Sequence, residues 1–373
     1  MKILYGVNGE GMGHATRSEV VIESLIGDHD LRIMASGAAY RYLSGFFGNV
    51  SKVFGPSFAM ENGEIRKWQS VTGMLTMARR EIPDSVTTWF ETIREWQPDV
   101  VVTDFEPLSG IYARWSQTPL VCVDNIHLID RCRHVPEILK GAFEEIRVAR
   151  AVVRAMSAPA GDYVIPTLFH PEVIKGRTRL VRPILRQPVI EATPVRGEHL
   201  VVYSAGDEEL TEVLRDSPVP CHVYGMRDGD AVGTTDGAIE YRPRSIDGFL
   251  DDLASSRGVI TGGGFSLLGE AVYLGKPILS VPIKGQFEQL MNSRYIELEG
   301  YGHSARMVDR VVLDRFLASL DEPREKLIGY PREGNADAVR AIVETVEQAG
   351  GDTRRDRRRA RREARRRPKE ATH

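Results

Sequence analysis

Cysteine is scarce. Cys122, Cys132 and Cys221 are the three in 373 residues, and none belongs to a CxxC pair. That argues against a disulfide framework or a structural zinc site and makes a reducing cytoplasm the expected setting. No apolar run approaches the ~20 residues of a membrane helix. The first residues, MKILYGV, run straight into a glycine-rich loop, without the apolar core and cleavage site of a signal peptide. Two nucleotide fingerprints are missing as well. There is no GxxxxGK[ST], and the glycines at 9, 11 and 13 are spaced GxGxG, not GxGxxG. The next strand ends in LRIMAS, with Ser36 where a dinucleotide site carries an acid. NAD or FAD is therefore not expected, and no cofactor is assigned.

Charge is nearly balanced overall at −3, but not locally. Residues 351–373 hold ten arginines and one lysine against four carboxylates, a net of +7, which leaves −10 on residues 1–350. Hydrophobic residues at 42% and charged residues at 27% suit a globular protein, and 373 residues suit two domains.

Short β-branched runs alternate with longer amphipathic segments, the pattern of parallel βαβ units. Strands are expected at Lys2–Val7, Leu31–Ala35, Val50–Phe54, Asp99–Thr103 and Leu120–Val123. Helices are expected at Thr16–Leu25, Gly73–Trp96, Leu108–Ser116 and Pro136–Arg147. The rhythm restarts with strands at Leu200–Ser204, His222–Tyr224, Ile239–Tyr241, Val259–Thr261 and Ile278–Val281. Between the halves, prolines 183, 188 and 194 predict an extended linker. The expected division is a domain over 1–181, a linker over 182–197, a domain over 198–349 and a disordered or merely solvated helical tail over 350–373. Asn335–Gln348 reads as a last amphipathic helix that crosses back to the first domain.

The stretch GVITGGGFSLLGEAVYLGKPILSVPIKGQFEQLMN, residues 258–292, carries the most chemistry. A buried strand ends in Gly262, Gly263 and Gly264 and enters a helix. Such a turn lets backbone approach a phosphate, and the helix N-terminus favours the anion. A tight turn needing glycine only for positive φ is the plain alternative. Glu270, on the first two turns of the helix, is placed to accept hydrogen bonds from a ribose. Glu288 and Gln289 pair an acceptor with a donor, as a sugar requires; a solvated loop is the alternative.

The segment from Gly237 to Asn292 resembles the donor half of GT-B glycosyltransferases. It is similar to the UDP-glycosyltransferase superfamily and to the N-acetylglucosaminyltransferase of peptidoglycan precursor synthesis, in a poorly characterised prokaryotic branch. The shared pattern is Gly263–Gly264, Glu270, the turn Gly275–Pro277, Glu288–Gln289 and Asn292. The resemblance implies an α/β GT-B fold: two Rossmann-like domains whose parallel sheets face an interdomain cleft. It places Gly263, Gly264 and Ser266 at the diphosphate, Glu270 at the ribose and Glu288–Gln289 at the transferred sugar. Arg242–Ser245 falls at the nucleobase. Two positions depart: relatives often have His where this chain has Gly262, and Thr where it has Leu267.

At the other end, the loop Gly6–Arg17 ends in Gly13–His14 at a helix start. A His there has the pKa range and the position of a general base, while local packing is the ordinary role of a lone His. By resemblance the loop, with Gly11 and Gly13, faces the acceptor and His14 is the base. Asp104, at the end of the run VVVTD, is the expected partner, unless it caps the following helix. Glu106 is a rival partner or an acceptor ligand. Asp124 and His127, after the next strand, are expected at the acceptor. Adding Cys132 and His134 makes a metal-like cluster whose spacing matches no zinc pattern, and no metal is expected.

The expected activity is transfer of a sugar, with inversion by resemblance, from a nucleoside diphosphate donor to a hydroxyl acceptor. UDP is the expected nucleotide and a lipid-linked acceptor one form of the partner. Arg354–Arg367 suits an anionic surface at the inner membrane leaflet, at roughly 1 kcal/mol per basic residue; a solubilising tail stays open. Nucleic acid is disfavoured, because no aromatic residue interleaves the arginines. A sugar-nucleotide epimerase on the same fold, or a noncatalytic sugar-nucleotide or polyanion binder, are the other classes.

Overall fold

The computed structural model describes residues 1–53, 60–61, 64–65, 84–156, 161–204, 208–226, 233–243 and 245–366. Strand β1 (Lys2–Val7) leads through the glycine loop into α1 (Met12–Ile26). Its sheet adds β2 (Asp30–Ala35), β3 (Val50–Lys52), β4 (Val100–Asp104), β5 (Leu120–Val123), β6 (Asp162–Pro166) and β7 (Thr178–Val181). Helix α2 (Pro107–Ser116) follows β4. The order is β7–β6–β5–β4–β1–β2–β3, parallel throughout. Runs such as VVVT, apolar on both sides, suit a sheet covered on both faces. The strand order reverses between β1 and β4, so their C-terminal ends flank the crevice where open α/β sheets take ligands.

A second sheet repeats the plan with β8 (Leu200–Tyr203), β9 (Cys221–Tyr224), β10 (Thr235–Asp236), β11 (Ile239–Tyr241), β12 (Gly258–Thr261), β13 (Ile278–Ser280) and β14 (Gly302–Ser304). Its order is β10–β11–β9–β8–β12–β13–β14, with β10 antiparallel to β11. Here the reversal falls between β8 and β12. Helices α3 (Ile246–Ser255), α4 (Phe265–Tyr273) and α5 (Phe287–Leu298) follow β11, β12 and β13.

The last helix, α6, spans Ala336–Arg366. Its stripe Ala338, Ala341, Ile342, Val346 and Ala349 packs with Ile3, Val100, Val102, Val121 and Val164 of the first sheet, as its periodicity predicts. Helix α5 joins the halves on the other side. Arg294 Nη1 donates to the Ile138 carbonyl at 2.6 Å, and Tyr295 stacks on Phe169 at 4.5 Å between centroids. His134 Nε2 lies 3.1 Å from the Leu128 carbonyl and so carries the proton; Nδ1 then accepts from the Tyr295 hydroxyl at 2.9 Å. Burial pushes the His134 pKa down to about 4 and keeps the ring neutral. Among the described residues no helix is long and apolar enough to cross a membrane.

The differences from expectation have local causes. The helix expected over Pro136–Arg147 is broken at Gly141, φ +66°, into Pro136–Leu139 and Phe143–Met156. The proline-rich segment is not wholly extended: Gln187–Glu191 is helical, with Pro188 in the first turn, where a missing N–H costs nothing. Strands β6, β7, β10 and β14 were not expected, their runs being short and polar or broken by Pro, Arg or His. The arginine-rich segment continues α6 as helix to Arg366, the helical form of the two expected for it, while 367–373 lie outside the described residues. Of the helix expected from Gly73, residues 73–83 also lie outside them; Asp84–Trp96 is helical.

Candidate active site

The end of β4 and the first turn of α1 meet at the first sheet's reversal point. His14 Nδ1 lies 2.7 Å from Asp104 Oδ1. Asp104 is fully buried, and Arg17, one turn after His14, grips it with Nε to Oδ2 at 2.7 Å and Nη2 to Oδ1 at 2.6 Å. Ser18 Oγ adds a bond at 3.1 Å. Burial alone would raise the Asp104 pKa, but Arg17 and then His14 outweigh it and hold the carboxyl at about 2. Arg17 likewise keeps its charge, because Asp104 more than offsets its burial. With Nδ1–H donated to the ionised Asp104, Nε2 of His14 is the lone-pair acceptor; Arg17 Nη2, bound to the same carboxylate, also lies 2.9 Å from Nδ1. The His14 side chain is 23% exposed, so it is reachable.

Arg17 is the residue that the sequence reading missed. Its signal was the i,i+3 spacing from His14 in HATR, which sets both on one helix face.

The alternative role for Asp104, capping α2, falls to Glu106. Its carboxylate accepts from Leu108 N at 3.0 Å and Ser109 N at 2.6 Å. Glu106 is buried and has no bond to His14, so it is neither the dyad partner nor an exposed acceptor ligand. Burial pushes its pKa up to about 7, against the lowering effect of the two amides. A raised carboxyl pKa stabilises the fold fully below the unfolded value of 4.5, and that stability is lost as pH rises through 7. Glu106→Gln is expected to flatten the stability change between about pH 4.5 and 7, a component of up to roughly 3 kcal/mol. Urea unfolding across that window checks it; an unchanged pH slope would contradict the assignment.

Asp124 and His127 are also core residues, correcting their expected exposure to the acceptor. They are 1% and 3% exposed and pair with each other at 2.7 Å. The ring of His127 packs edge-on to Tyr163 at 4.9 Å. Two Asp–His pairs thus stand on neighbouring strand ends, and His14 is the one with an open edge.

The second sheet brings α4 opposite α1. Gly264 caps α4 without a side-chain hydrogen bond, no acid lies in the first turn, and a Cβ on Gly264 would meet open space. The N–H groups at that end are free for an anion. Gly263 has φ +87°, and a Cβ there would sit 2.9 Å from the Gln289 carbonyl and from Ser293 Oγ. Only glycine fits both demands. Asn292 Nδ2 donates to the Gly263 carbonyl at 3.2 Å and fixes the turn. The N-terminal loop mirrors this end: Gly11, φ +77°, caps α1 without a side chain. Gly13 is approached so closely that a Cβ would stand 2.5 Å from Ser266 Oγ. Two uncapped helix N-termini therefore converge from the two sheets. Glu288, in the first turn of α5, lies near enough to His14, Arg17, Asp104 and Asp124 to feel their charges; burial, the largest influence, raises its pKa. Gln289 Oε1 accepts from Ile283 N at 2.9 Å, which leaves its amide nitrogen to donate.

Two donor-side residues are already paired with other side chains. Glu270 is 8% exposed and is held by Arg186, from the proline-rich segment, through Nε to Oε1 at 3.0 Å and Nη2 to Oε2 at 3.2 Å. Arg242 turns away from the strand ends. Its guanidinium lies 3.0 Å from Asp252 and 2.8 Å from Glu240, with Nη2 3.1 Å from His222. Among the described residues, His199, His222 and Asp252 come nearest to a metal-ligand arrangement. Arg242 already supplies the positive charge there, so the group is a satisfied polar cluster between α3 and the sheet. Cys132 and His134 form no such arrangement, His134 being committed to Tyr295 and Leu128.

The model of the glycosyl transferase family 1 matches residues 1–321. The chain belongs to this family. The protein is a glycosyltransferase with the GT-B fold, and the cleft between its sheets is the candidate active site. An uncharacterized glycosyltransferase of Methanosarcina acetivorans is 24% identical over 385 residues, covering 94% of this chain and 95% of that protein. Among solved structures, a UDP-glucosyltransferase from Polygonum tinctorium aligns with a TM-score of 0.64 at 15% identity, covering 93% of this glycosyltransferase and 98% of that chain. MurG of Acinetobacter baumannii aligns at 0.56 and 14%, covering 93% and 99%. At such identities these structures share the fold with this glycosyltransferase.

Proposed function

We propose that the enzyme moves a sugar from a nucleoside diphosphate donor, a UDP-sugar foremost, to a hydroxyl acceptor with inversion, with His14 as general base. The acceptor oxygen attacks the anomeric carbon, its proton passes to His14 Nε2, and the bond to the diphosphate breaks with the electron pair leaving on oxygen. Asp104 positions the ring and balances the charge it gains. Gly263, Gly264 and the α4 N-terminus hold the departing diphosphate, an electrostatic effect already in place before reaction. Glu270 uses the two lone-pair directions that Arg186 leaves free to accept ribose hydroxyls. Glu288 and Gln289 hold the transferred sugar, and Gly11 and Gly13 border the acceptor.

The observation that carries this proposal is the His14–Asp104 bond at one sheet's reversal point, facing an uncapped helix end at the other's. We further propose a cytoplasmic enzyme, with Arg354–Arg367 drawn to an anionic membrane that presents a lipid-linked acceptor. Two domains, divided near 182–197, form the cleft.

The test is product analysis with an acceptor panel. Nucleoside diphosphate release is expected to depend on acceptor, and the new glycosidic bond to have the anomeric configuration opposite to the donor's. Release of an epimerised free sugar with no acceptor present would overturn it.

A further inference from the structure

Arg17 reaches the imidazole as well as the carboxylate. Its Nη2 lies 2.6 Å from Asp104 Oδ1 and 2.9 Å from His14 Nδ1, so one oxygen receives both the ring and the guanidinium. Orienting the ring requires only an acceptor for Nδ1–H, which a carboxylate or an amide oxygen supplies without a cation. A buried ion pair also adds little net stability, because desolvation of the two charges offsets their attraction. Neither orientation nor stability explains why a guanidinium stands there.

The charge of the ring does explain it. A bare carboxylate 2.7 Å from an imidazole favours the imidazolium. Two unit charges about 4 Å apart shift a protonation equilibrium roughly a thousand-fold at an effective dielectric of about 20. A ring already protonated before reaction cannot take a proton. Arg17 sets an equal and opposite charge on the same oxygen and, although only 5% exposed, stays charged beside Asp104. The uncapped N-terminus of α1, whose first residue is Met12, acts in the same direction. The other ionisable groups around the cluster are acidic: Glu288 of α5, and Asp124 after β5, which is engaged with His127. Without Arg17, every nearby side-chain charge would favour the imidazolium.

We propose that Arg17 is a positioning residue that acts on His14 through Asp104: its charge cancels the carboxylate's pull on the ring, which is held in place yet neutral. The inference rests on the base role proposed above for His14 and adds what keeps that base unprotonated. Asp104 supplies orientation, and Arg17 removes the electrostatic cost that orientation by a carboxylate brings.

The test follows histidine ring titration by NMR in the full chain, with the His14 signal assigned by its loss in His14→Gln and thermal melts as the folding control. The parent is compared with Arg17→Gln, Asp104→Asn and the double variant. Arg17→Gln is expected to raise the proton affinity of the ring roughly ten-fold or more, moving its midpoint up by at least about one pH unit. Asp104→Asn should move it down by a similar amount, and the double variant, with neither charge, should return to within about half a unit of the parent. An arginine that only supports the fold would change the melting temperature and leave the midpoint in place, so an unchanged midpoint in Arg17→Gln would overturn the proposal. If Arg17→Gln does not fold, Asp104→Asn and the double variant isolate the same charge, and equal midpoints in those two would overturn it. Shifted midpoints beside undiminished turnover in His14→Ala would leave the charge balance standing and remove the base role of His14.

Discussion

Replacing His14 by alanine is expected to lower turnover by roughly 10²- to 10⁴-fold, the usual share of a positioned general base, while donor affinity is retained. His14 has an open ring edge, and its Nδ1 is committed to Asp104 at 2.7 Å. On the proposed mechanism, loss of the imidazole removes the acceptor for the substrate proton. The Gly262–Gly264 turn is untouched, since Gly263 is fixed by Asn292 and by the α5 backbone. Steady-state rates at saturating donor, beside titration of the same variant with the nucleotide sugar, separate the two effects. Unchanged turnover would make His14 a packing residue.

The second large effect is on the fold itself. Asp104→Ala leaves Arg17, 5% exposed, without its counter-ion. Removing one partner of a buried pair typically costs about 3–5 kcal/mol, because the remaining charge is uncompensated. Chemical unfolding should show this loss together with a fall in turnover, since His14 also loses its orienting acceptor. Either effect alone has an innocent explanation. The double variant Arg17→Met/Asp104→Leu separates them: removing both charges should recover much of the stability, while turnover stays low. Recovery of turnover with stability would show that Asp104 is needed only to satisfy Arg17. The pH dependence has a definite sign. Asp104 is depressed to about 2, so its contribution is present above the unfolded value of 3.8 and is lost as pH falls through 2.

Much of this architecture was legible in the sequence because parallel strands covered on both faces are continuous apolar runs. VVVTD and GVIT could be little else, and the stripe of α6 announced its return to the first sheet. The partners of polar side chains were less legible, because they depend on where distant elements meet. Nothing in the run VVVTDFEP says that Glu106 will cap α2 and so release Asp104 for His14. Likewise Asp124 and His127 follow a strand just as Asp104 does, yet their pairing with each other and the ring of Tyr163 bury them. Arg186 sits in a proline-rich segment that reads as a bare connector, and Glu270 lies 84 positions away. Arg242 illustrates the limit of a motif. Its position after β11 suggested the cleft, but a long side chain can run back along the sheet to Asp252.

The central claim is that α4 holds a nucleotide sugar across from a His14 base. Thermal shift with a panel of nucleotide sugars, applied to the parent, Glu270→Ala and His14→Ala, tests it most directly, because stabilisation follows RT ln(1 + [L]/Kd). One donor class should raise the melting temperature of the parent and of His14→Ala alike, and do so much less for Glu270→Ala. No shift with any donor, or equal shifts in all three proteins, would contradict the account.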